Sequence, residues 1–357
     1  MRVVVVTSWF PSADWPGGAP FAVAHAKAIA RKHDVRIAHL RLGGTGLAQE
    51  EHWAGLPVTR IPITPRRPGA YRVLRRMTAE ADVVHSMAFS TIGVLAPLAP
   101  MIRRRWVHSE HWSGVLDPAS VSPKWERLAA ARHLLRLPKA VSAVSTPFAD
   151  VVRRFTGQDV SVVPCVIDGS FTASPRPSSP PLRLVAVGGL VAGKRPVLAV
   201  ETLASLVADG VDARLTWVGD GPLRSAVHAR ASELGLADRV DLVGSVAPDK
   251  VADHVRAATV FFLPTAGETF LAAGAEAIAC GRPVVLPRTG GFTDYVTSAN
   301  GVLADSDDVA SLAAAVREAA ARFADADPEA LRATVIPRFD ASSIADDFDQ
   351  FYRRLES

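Results

Sequence analysis

Glu268 and Glu276 stand eight residues apart in the stretch E-T-F-L-A-A-G-A-E-A-I-A-C-G-R-P-V-V. If the intervening chain is helical, that spacing is just over two turns and brings both carboxylates to one side. Ala273, Ala275, Ala277 and Ala279 keep such a helix slim. Residues 260–263 read as a buried strand before it, and residues 283–286 as the next strand after it. A strand, a loop carrying Glu268 and then a helix aim the helix N-terminus at a crevice. Backbone N–H groups there suit an anionic ligand, and carboxylates suit its hydroxyls. Lys194, following the strand-and-loop 185–193, supplies a cation for the same anion. In the first half, V-H-S-E-H-W over 107–112 follows a strand and carries two imidazoles, His108 and His111.

The elements that must position these residues alternate along the chain. Strands are expected at 2–7, 35–40, 81–85, 106–108, 140–145 and 160–164, with a helix at 20–33. Such alternation with short connections implies a mostly parallel, doubly wound α/β sheet. The run T-A-S-P-R-P-S-S-P-P at 172–181 breaks it and reads as a linker. The alternation restarts at 182–187, 213–218, 240–242, 260–263 and 283–286. Two domains follow, 1–171 and 182–339. A last helix at 340–357, apolar at Ile344, Phe348, Phe351, Tyr352 and Leu355, is suited to packing back on the first domain.

Composition bounds the class. The chain has 357 residues, room for two domains, with 48% apolar and 21% charged residues. Its longest apolar run, 92–102, is too short to span a bilayer and holds two prolines. The N-terminus enters a strand at once, so no signal peptide and a cytoplasmic location are expected. Two cysteines, Cys165 and Cys280, build neither a disulfide framework nor a zinc site. The net charge of +4 hides an asymmetry: residues 1–170 hold 22 basic and 12 acidic side chains. This basic half, concentrated at 66–76 and 103–105, suits a phosphorylated acceptor or peripheral contact with anionic membrane. A solvated arginine-rich face is the plain alternative. Nucleic acid is not expected, since no binding module or interleaved aromatic ladder accompanies the patch.

E-x-F-x5-E-A-x-A-x-G-x-P-V-V resembles the E-x7-E signature of retaining glycosyltransferases of the GT-B fold, family 4. Gly188-Gly189-Leu190 with Lys194, G-D-G-P-L-R at 219–224, Gly244, Gly290-Gly291 and N-G-V-L at 300–303 appear in that family's order and spacing. The resemblance implies two Rossmann-like domains facing each other across a cleft. It also implies a hexosyltransferase that moves a sugar from a UDP- or GDP-linked donor to a hydroxyl acceptor, with no metal and no other cofactor. Glu276 would then bind the ribose hydroxyls and Glu268 the donor sugar. Lys194, with Arg195 as a second cation, would meet the diphosphate, together with Gly188, Gly189, Gly219 and the N–H groups of Phe270 and Leu271. On the N-terminal side, Gly17-Gly18 falls where the family keeps a flexible glycine loop, and His111 aligns with its cleft histidine. The chain departs from the pattern at Gly189 (usually arginine), Leu271 (usually glycine) and Cys165 (usually asparagine). Acceptor choice is expected in the variable segments 43–57 and 63–77.

Other readings have less support. A dehydrogenase lacks its G-x-G-x-x-G turn, and no G-x4-G-K-S/T loop is present. The D-x-D spelling at Asp305-Ser306-Asp307 reads as a solvated turn. An epimerase or phosphorylase on the same fold, and a non-catalytic sugar-nucleotide-binding partner or regulator, stand as the alternatives.

Overall fold

The computed structural model describes residues 1–13, 15, 18–64 and 68–355, and Gly17, Arg66 and Arg67 lie outside them. The chain divides into two compact units, Met1–Val166 with Phe339–Ser357, and Ile167–Arg338.

The first unit is built on β1 (Arg2–Thr7), β2 (Asp34–Leu42), β3 (Gln49–Trp53), β4 (Leu56–Ile63), β5 (Val83–Met87), β6 (Trp106–Glu110), β7 (Ala140–Ala143) and β8 (Val160–Val162). They form one sheet in the order β3-β4-β2-β1-β5-β6-β7-β8, parallel except for the β3–β4 pair. β1 lies between β2 and β5, which is why its Val3–Val6 run is buried on both faces.

The expected variable segments 43–57 and 63–77 prove partly regular: β3 and β4 make a hairpin, and Pro68–Glu80 is a helix. Ala54 and Gly55, both at positive φ, make the two-residue turn that matches strand twist. The pairing escapes a polarity reading because β3 is a charged edge strand and β4 buries an arginine. Arg60 donates to Glu51 and lies over the rings of Phe10 and Trp53, each 5.6 Å away.

The terminal helix Ala341–Arg353 packs against the helix Pro20–Ala30, with Ile344, Phe348, Phe351 and Tyr352 in the core. His85 is fully buried. Its Nδ1 is 2.8 Å from the Tyr352 hydroxyl and its Nε2 is 2.7 Å from Ser109 Oγ.

In the second unit β9 (Leu182–Val187), β10 (Ala213–Val218), β11 (Val240–Gly244), β12 (Val260–Phe262), β13 (Val284–Pro287) and β14 (Gly301–Ala304) form a wholly parallel sheet, β11-β10-β9-β12-β13-β14. Strand order reverses at β9, so the β9 and β12 loops flank a switch point, where doubly wound sheets bind ligands.

The Pro- and Ser-rich stretch 172–181 belongs to this unit and is not a free linker. Arg282, fully buried, holds it. The guanidinium donates to Ser174 O, Ser174 Oγ and Pro175 O at 2.8–3.0 Å, and to the carbonyls of Arg256, Cys280 and Gly281. No helix among the described residues is long and apolar enough to cross a membrane.

Tyr352→Phe should leave His85 Nδ1 buried without its partner and cost about 1–3 kcal/mol. Urea unfolding should show the loss, and limited proteolysis should then cut first around the terminal helix. An unchanged unfolding midpoint would remove His85–Tyr352 as the anchor.

Candidate functional site

Four loops at strand C-termini converge in the second unit. The loop after β9 carries Lys194, and the loop after β12 carries Glu268. The two side chains form an ion pair, and Thr265 Oγ1 reaches the same Glu268 oxygen at 2.8 Å. Ala266 N donates to Gly193 O at 2.8 Å, tying the loops together by backbone as well. The stem of Lys194 lies over Gly188, where a Cβ would come within 3.3 Å of Lys194 Cε.

The loop after β10 closes in through Gly219. Its φ is 136°, and a Cβ there would sit 2.1 Å from the Gly188 carbonyl oxygen. The loop after β13 cradles Glu268 from the other side: Gly291 N donates to Glu268 O at 2.8 Å, and Gly290 has φ 114°.

The helix expected from Glu268 onward begins only at Ala272 and ends at Ala279. Glu268 therefore takes its position from the loop, not from helical spacing with Glu276. Leu271, at the expected glycine position, is the helix N-cap at φ 65°, ψ 70° with no side-chain cap. This is left-handed backbone that a leucine rarely adopts. Tyr295 holds it by donating its hydroxyl to Leu271 O at 2.7 Å, and the Tyr295 ring packs on Phe270 at 5.3 Å. Phe270 and Leu271 are both buried.

Glu276, one turn into that helix, is half-buried and has no hydrogen-bond partner among the described residues. Burial, reinforced by Asp168, pushes its carboxyl up to about 7. The carboxyl thus sits near neutrality close to a helix N-terminus that has no side-chain cap.

Two expected donor-site residues fall differently. Arg195 is a left-handed N-cap whose guanidinium is paired with Asp307, while Lys194 pairs with Glu268. Gly189 leaves ordinary van der Waals space, with Asp220 O at 3.5 Å from a built Cβ. Thr265, Asp168 and Tyr295 carried no sequence signal of a role. Their parts depend on loop geometry.

In the first unit, Gly18 is buried beneath Trp15, where a Cβ would meet the indole at 2.2 Å. Its missing side chain leaves room for that indole. His111 is buried, with its ring stacked on Phe21 at 4.5 Å and 5.0 Å from that of His25. Burial first, then the neighbouring imidazoles, hold His111 well below the usual histidine range, so it is neutral at pH 7.

Its backbone is fixed by Glu110, a fully buried carboxylate. Oε1 accepts the N–H groups of His111 and Trp112, both at 2.9 Å, and Oε2 lies 3.1 Å from His108 Nε2. His108 Nδ1 continues to Ser86 Oγ at 2.8 Å, which also accepts the Trp106 indole N–H. Ser86, His108 and Glu110 have the spelling of a nucleophile–base–acid set. Each is wholly enclosed, so the set braces the strand end that presents His111. Ser145, also fully buried, caps the helix Thr146–Thr156. Among the described residues no group of three or more His, Cys, Asp or Glu is arranged to hold a metal.

Residues 16–166 match the Glycosyl transferase 4-like domain and residues 181–322 the Glycosyl transferases group 1 family. The chain is 36% identical over 124 residues to the GDP-mannose-dependent alpha-(1-6)-phosphatidylinositol dimannoside mannosyltransferase of Mycobacterium tuberculosis. That match covers 34% of this chain and 32% of that protein, about a third of its length. A 26% identity to the 2-deoxystreptamine N-acetyl-D-glucosaminyltransferase of Streptomyces fradiae runs over 88% of this chain and 85% of that one. The structure of Anabaena HepE in complex with UDP superposes with a TM-score of 0.77 at 19% identity, over 98% of this chain and 99% of that one. Sucrose-phosphate synthase from Thermosynechococcus elongatus superposes at 0.73, with 22% identity and 99% of both chains covered. Both share the fold described above.

A carboxyl raised by folding destabilises as it ionises. The Glu276 penalty is absent below the unfolded value near 4.5 and grows as pH rises to about 7. Glu276→Gln should therefore raise stability by about 1–2 kcal/mol at pH 8 and leave it unchanged at pH 4. Denaturant melts at the two pH values would show it, and equal effects at both would contradict the assignment. Gly219→Ala, by contrast, should destabilise at every pH by about 1–3 kcal/mol or more.

Proposed function

We propose, from the premise that this chain belongs to the group 1 glycosyltransferases, that it moves a hexosyl group from a uridine or guanosine diphosphate sugar to a hydroxyl acceptor. The observation that carries this reading is Glu276. It is half-buried, unpartnered and raised to about 7, beside a helix N-terminus and within the unit that holds Lys194 and Glu268. A ribose offers it two hydroxyls, and its carboxylate accepts both once they replace water. The diphosphate lies at the first turn of Ala272–Ala279, where Leu271 O takes the N–H of Gly274 and the N–H groups before it have no intrahelical acceptor.

In the proposed reaction the bond from the anomeric carbon to the diphosphate breaks and a bond from the acceptor oxygen forms on the same face, retaining configuration. The acceptor proton passes to the leaving diphosphate. Lys194 stabilises the charge that develops there, a preorganised cation already oriented by Glu268. Glu268 also holds the sugar hydroxyls. His111, neutral, serves as a hydrogen-bonding imidazole and not as a cation. The charge of the diphosphate is met by Lys194 and backbone dipoles, with no metal required.

The first unit holds the acceptor. Its excess of basic residues suits an anionic acceptor or a membrane surface. The relatives named above act, by their names, on phosphatidylinositol dimannoside and 2-deoxystreptamine, both hydroxyl-bearing ring compounds. A binding-only reading rests on Gly189 and on the strained Leu271, which together remove one cation and stiffen the phosphate loop.

Thermal stabilisation by UDP, GDP, ADP and their sugars, with and without EDTA, tests the reading, followed by donor hydrolysis with the stabilising sugar nucleotide. One base should give a specific shift that Glu276→Ala abolishes and EDTA leaves intact. Lys194→Ala should keep most of the shift but slow turnover about a hundredfold. A shift without turnover selects the binding-only reading. No shift with any nucleotide overturns the proposal.

A further inference from the structure

Three strand C-termini of the first unit, those of β1, β5 and β6, lie side by side at that unit's own switch point. Each is followed within two residues by an aromatic side chain: Trp9, Phe89 and Trp112. Trp125 and Phe21 complete a continuous set of rings that ends at His111. Trp125 is 5.0 Å from Trp112, Trp112 meets Trp9 edge-on at 6.5 Å, Trp9 meets Phe21 at 6.2 Å, and Phe21 stacks on His111. Three of the chain's seven tryptophans are gathered here. Trp9, Phe21, Trp112 and Trp125 all keep solvent-facing surface, so the cluster is not simply core.

The rings are held in set orientations. Trp112 lies flat on Gly114, where a Cβ would be 2.4 Å from the indole, and Trp125 Nε1 donates to Gly114 O at 2.7 Å. The indole N–H groups of Trp9 and Trp112 make no hydrogen bond among the described residues, so both can donate to a ligand. The loops after β1 and β5 are joined by Ser8 and Ser90, whose hydroxyls are 2.5 Å apart. Among the described residues no arginine or lysine stacks on these rings.

A ligand matched to this surface has an apolar face for indole and an equator of hydroxyls for indole N–H, serine and imidazole. It needs no charge. Straight alkyl chains leave the donors unmet. We infer that Trp9, Trp112 and Trp125 form an acceptor platform for a polyhydroxylated ring, a saccharide or a cyclitol. Its axial C–H groups, made positive by neighbouring oxygens, lie on the negative faces of the indoles. His111 at the end of the platform then stands beside the ring's reactive hydroxyl. Acceptor selection is thereby assigned to the β1, β5 and β6 loops instead of the segments 43–57 and 63–77. The inference deepens the transferase reading and rests on it.

The test is saturation-transfer NMR on the full chain with myo-inositol, methyl α-D-glucoside and the open-chain polyol sorbitol, each with and without the nucleotide that stabilises the protein. Transfer to ring C–H protons of inositol or the glucoside, and none to sorbitol, is expected. Inositol alone identifies a cyclitol site, and the glucoside alone a saccharide site. Trp112→Leu and Gly114→Ala should each weaken binding about threefold to tenfold while the nucleotide-induced thermal shift stays as in the parent. Trp9→Phe, which keeps a ring and loses the N–H, covers the case in which Trp112→Leu fails to fold, and should weaken binding less than Trp9→Leu. The platform is overturned by absence of transfer to both ring compounds, by sorbitol binding equally, or by ring binding that survives Trp9→Leu and Trp112→Leu. Loss of the nucleotide shift in the parent protein would instead count against the transferase reading, since that measurement reports on the second unit.

Discussion

The ion pair between Lys194 and Glu268 is the interaction around which the second unit's site is organised. It bridges the loops after β9 and β12, the strands on either side of the point where strand order reverses. Several other contacts at the site support one of its ends. Thr265 and Gly291 fix Glu268, while Gly188 makes room for the Lys194 stem. Gly219 then allows a third loop to approach the Gly188 carbonyl more closely than any side chain permits. The pair satisfies two charges that would otherwise stand against each other's desolvation. In the proposed reading, a diphosphate takes over part of the carboxylate's role at that cation.

Glu276 is the opposite case. It has no partner, and its carboxyl is raised by burial and by Asp168. The left-handed Leu271 sits one turn away, held by the Tyr295 hydroxyl. Unpaired acid and strained backbone at one helix start are departures from the local rules that proteins tolerate at functional sites. In the first unit the polar interior is handled differently. Glu110, His108, Ser86 and the Trp106 indole are fully enclosed and mutually hydrogen-bonded, and the His85–Tyr352 contact ties in the terminal helix. That network leaves His111 and Trp112 at a rigid strand end, the usual way a parallel sheet presents groups to a ligand.

Much of this was legible without coordinates. Runs such as Val3–Val6 and 182–187 name buried parallel strands because both faces are covered and no alternation is needed. The hairpin of β3 and β4 was not legible, since its polarity reflects an edge strand and an arginine satisfied across it. The stretch 172–181 looked unattached because proline and serine seldom pack, and Arg282, a hundred residues on, gave no hint that it would collect those carbonyls. Arg195 next to Lys194 looked equivalent in sequence, but the left-handed turn between them sends one to Glu268 and the other to Asp307.

The sequence alone determined the two parallel α/β units, the terminal helix with its apolar stripe, and the carboxylates, lysine and glycines that the family resemblance singles out. Those properties follow from local periodicity and from chemistry carried within a few consecutive residues. Tertiary structure decided which of those residues meet. It paired Lys194 with Glu268, left Glu276 raised and unpartnered, turned His108 into a brace for His111, and gathered Trp9, Trp112 and Trp125 from separate loops. The physical reason is that a parallel sheet brings strand ends together which lie many residues apart along the chain. Burial and pairing at those ends depend on distances that no local pattern records.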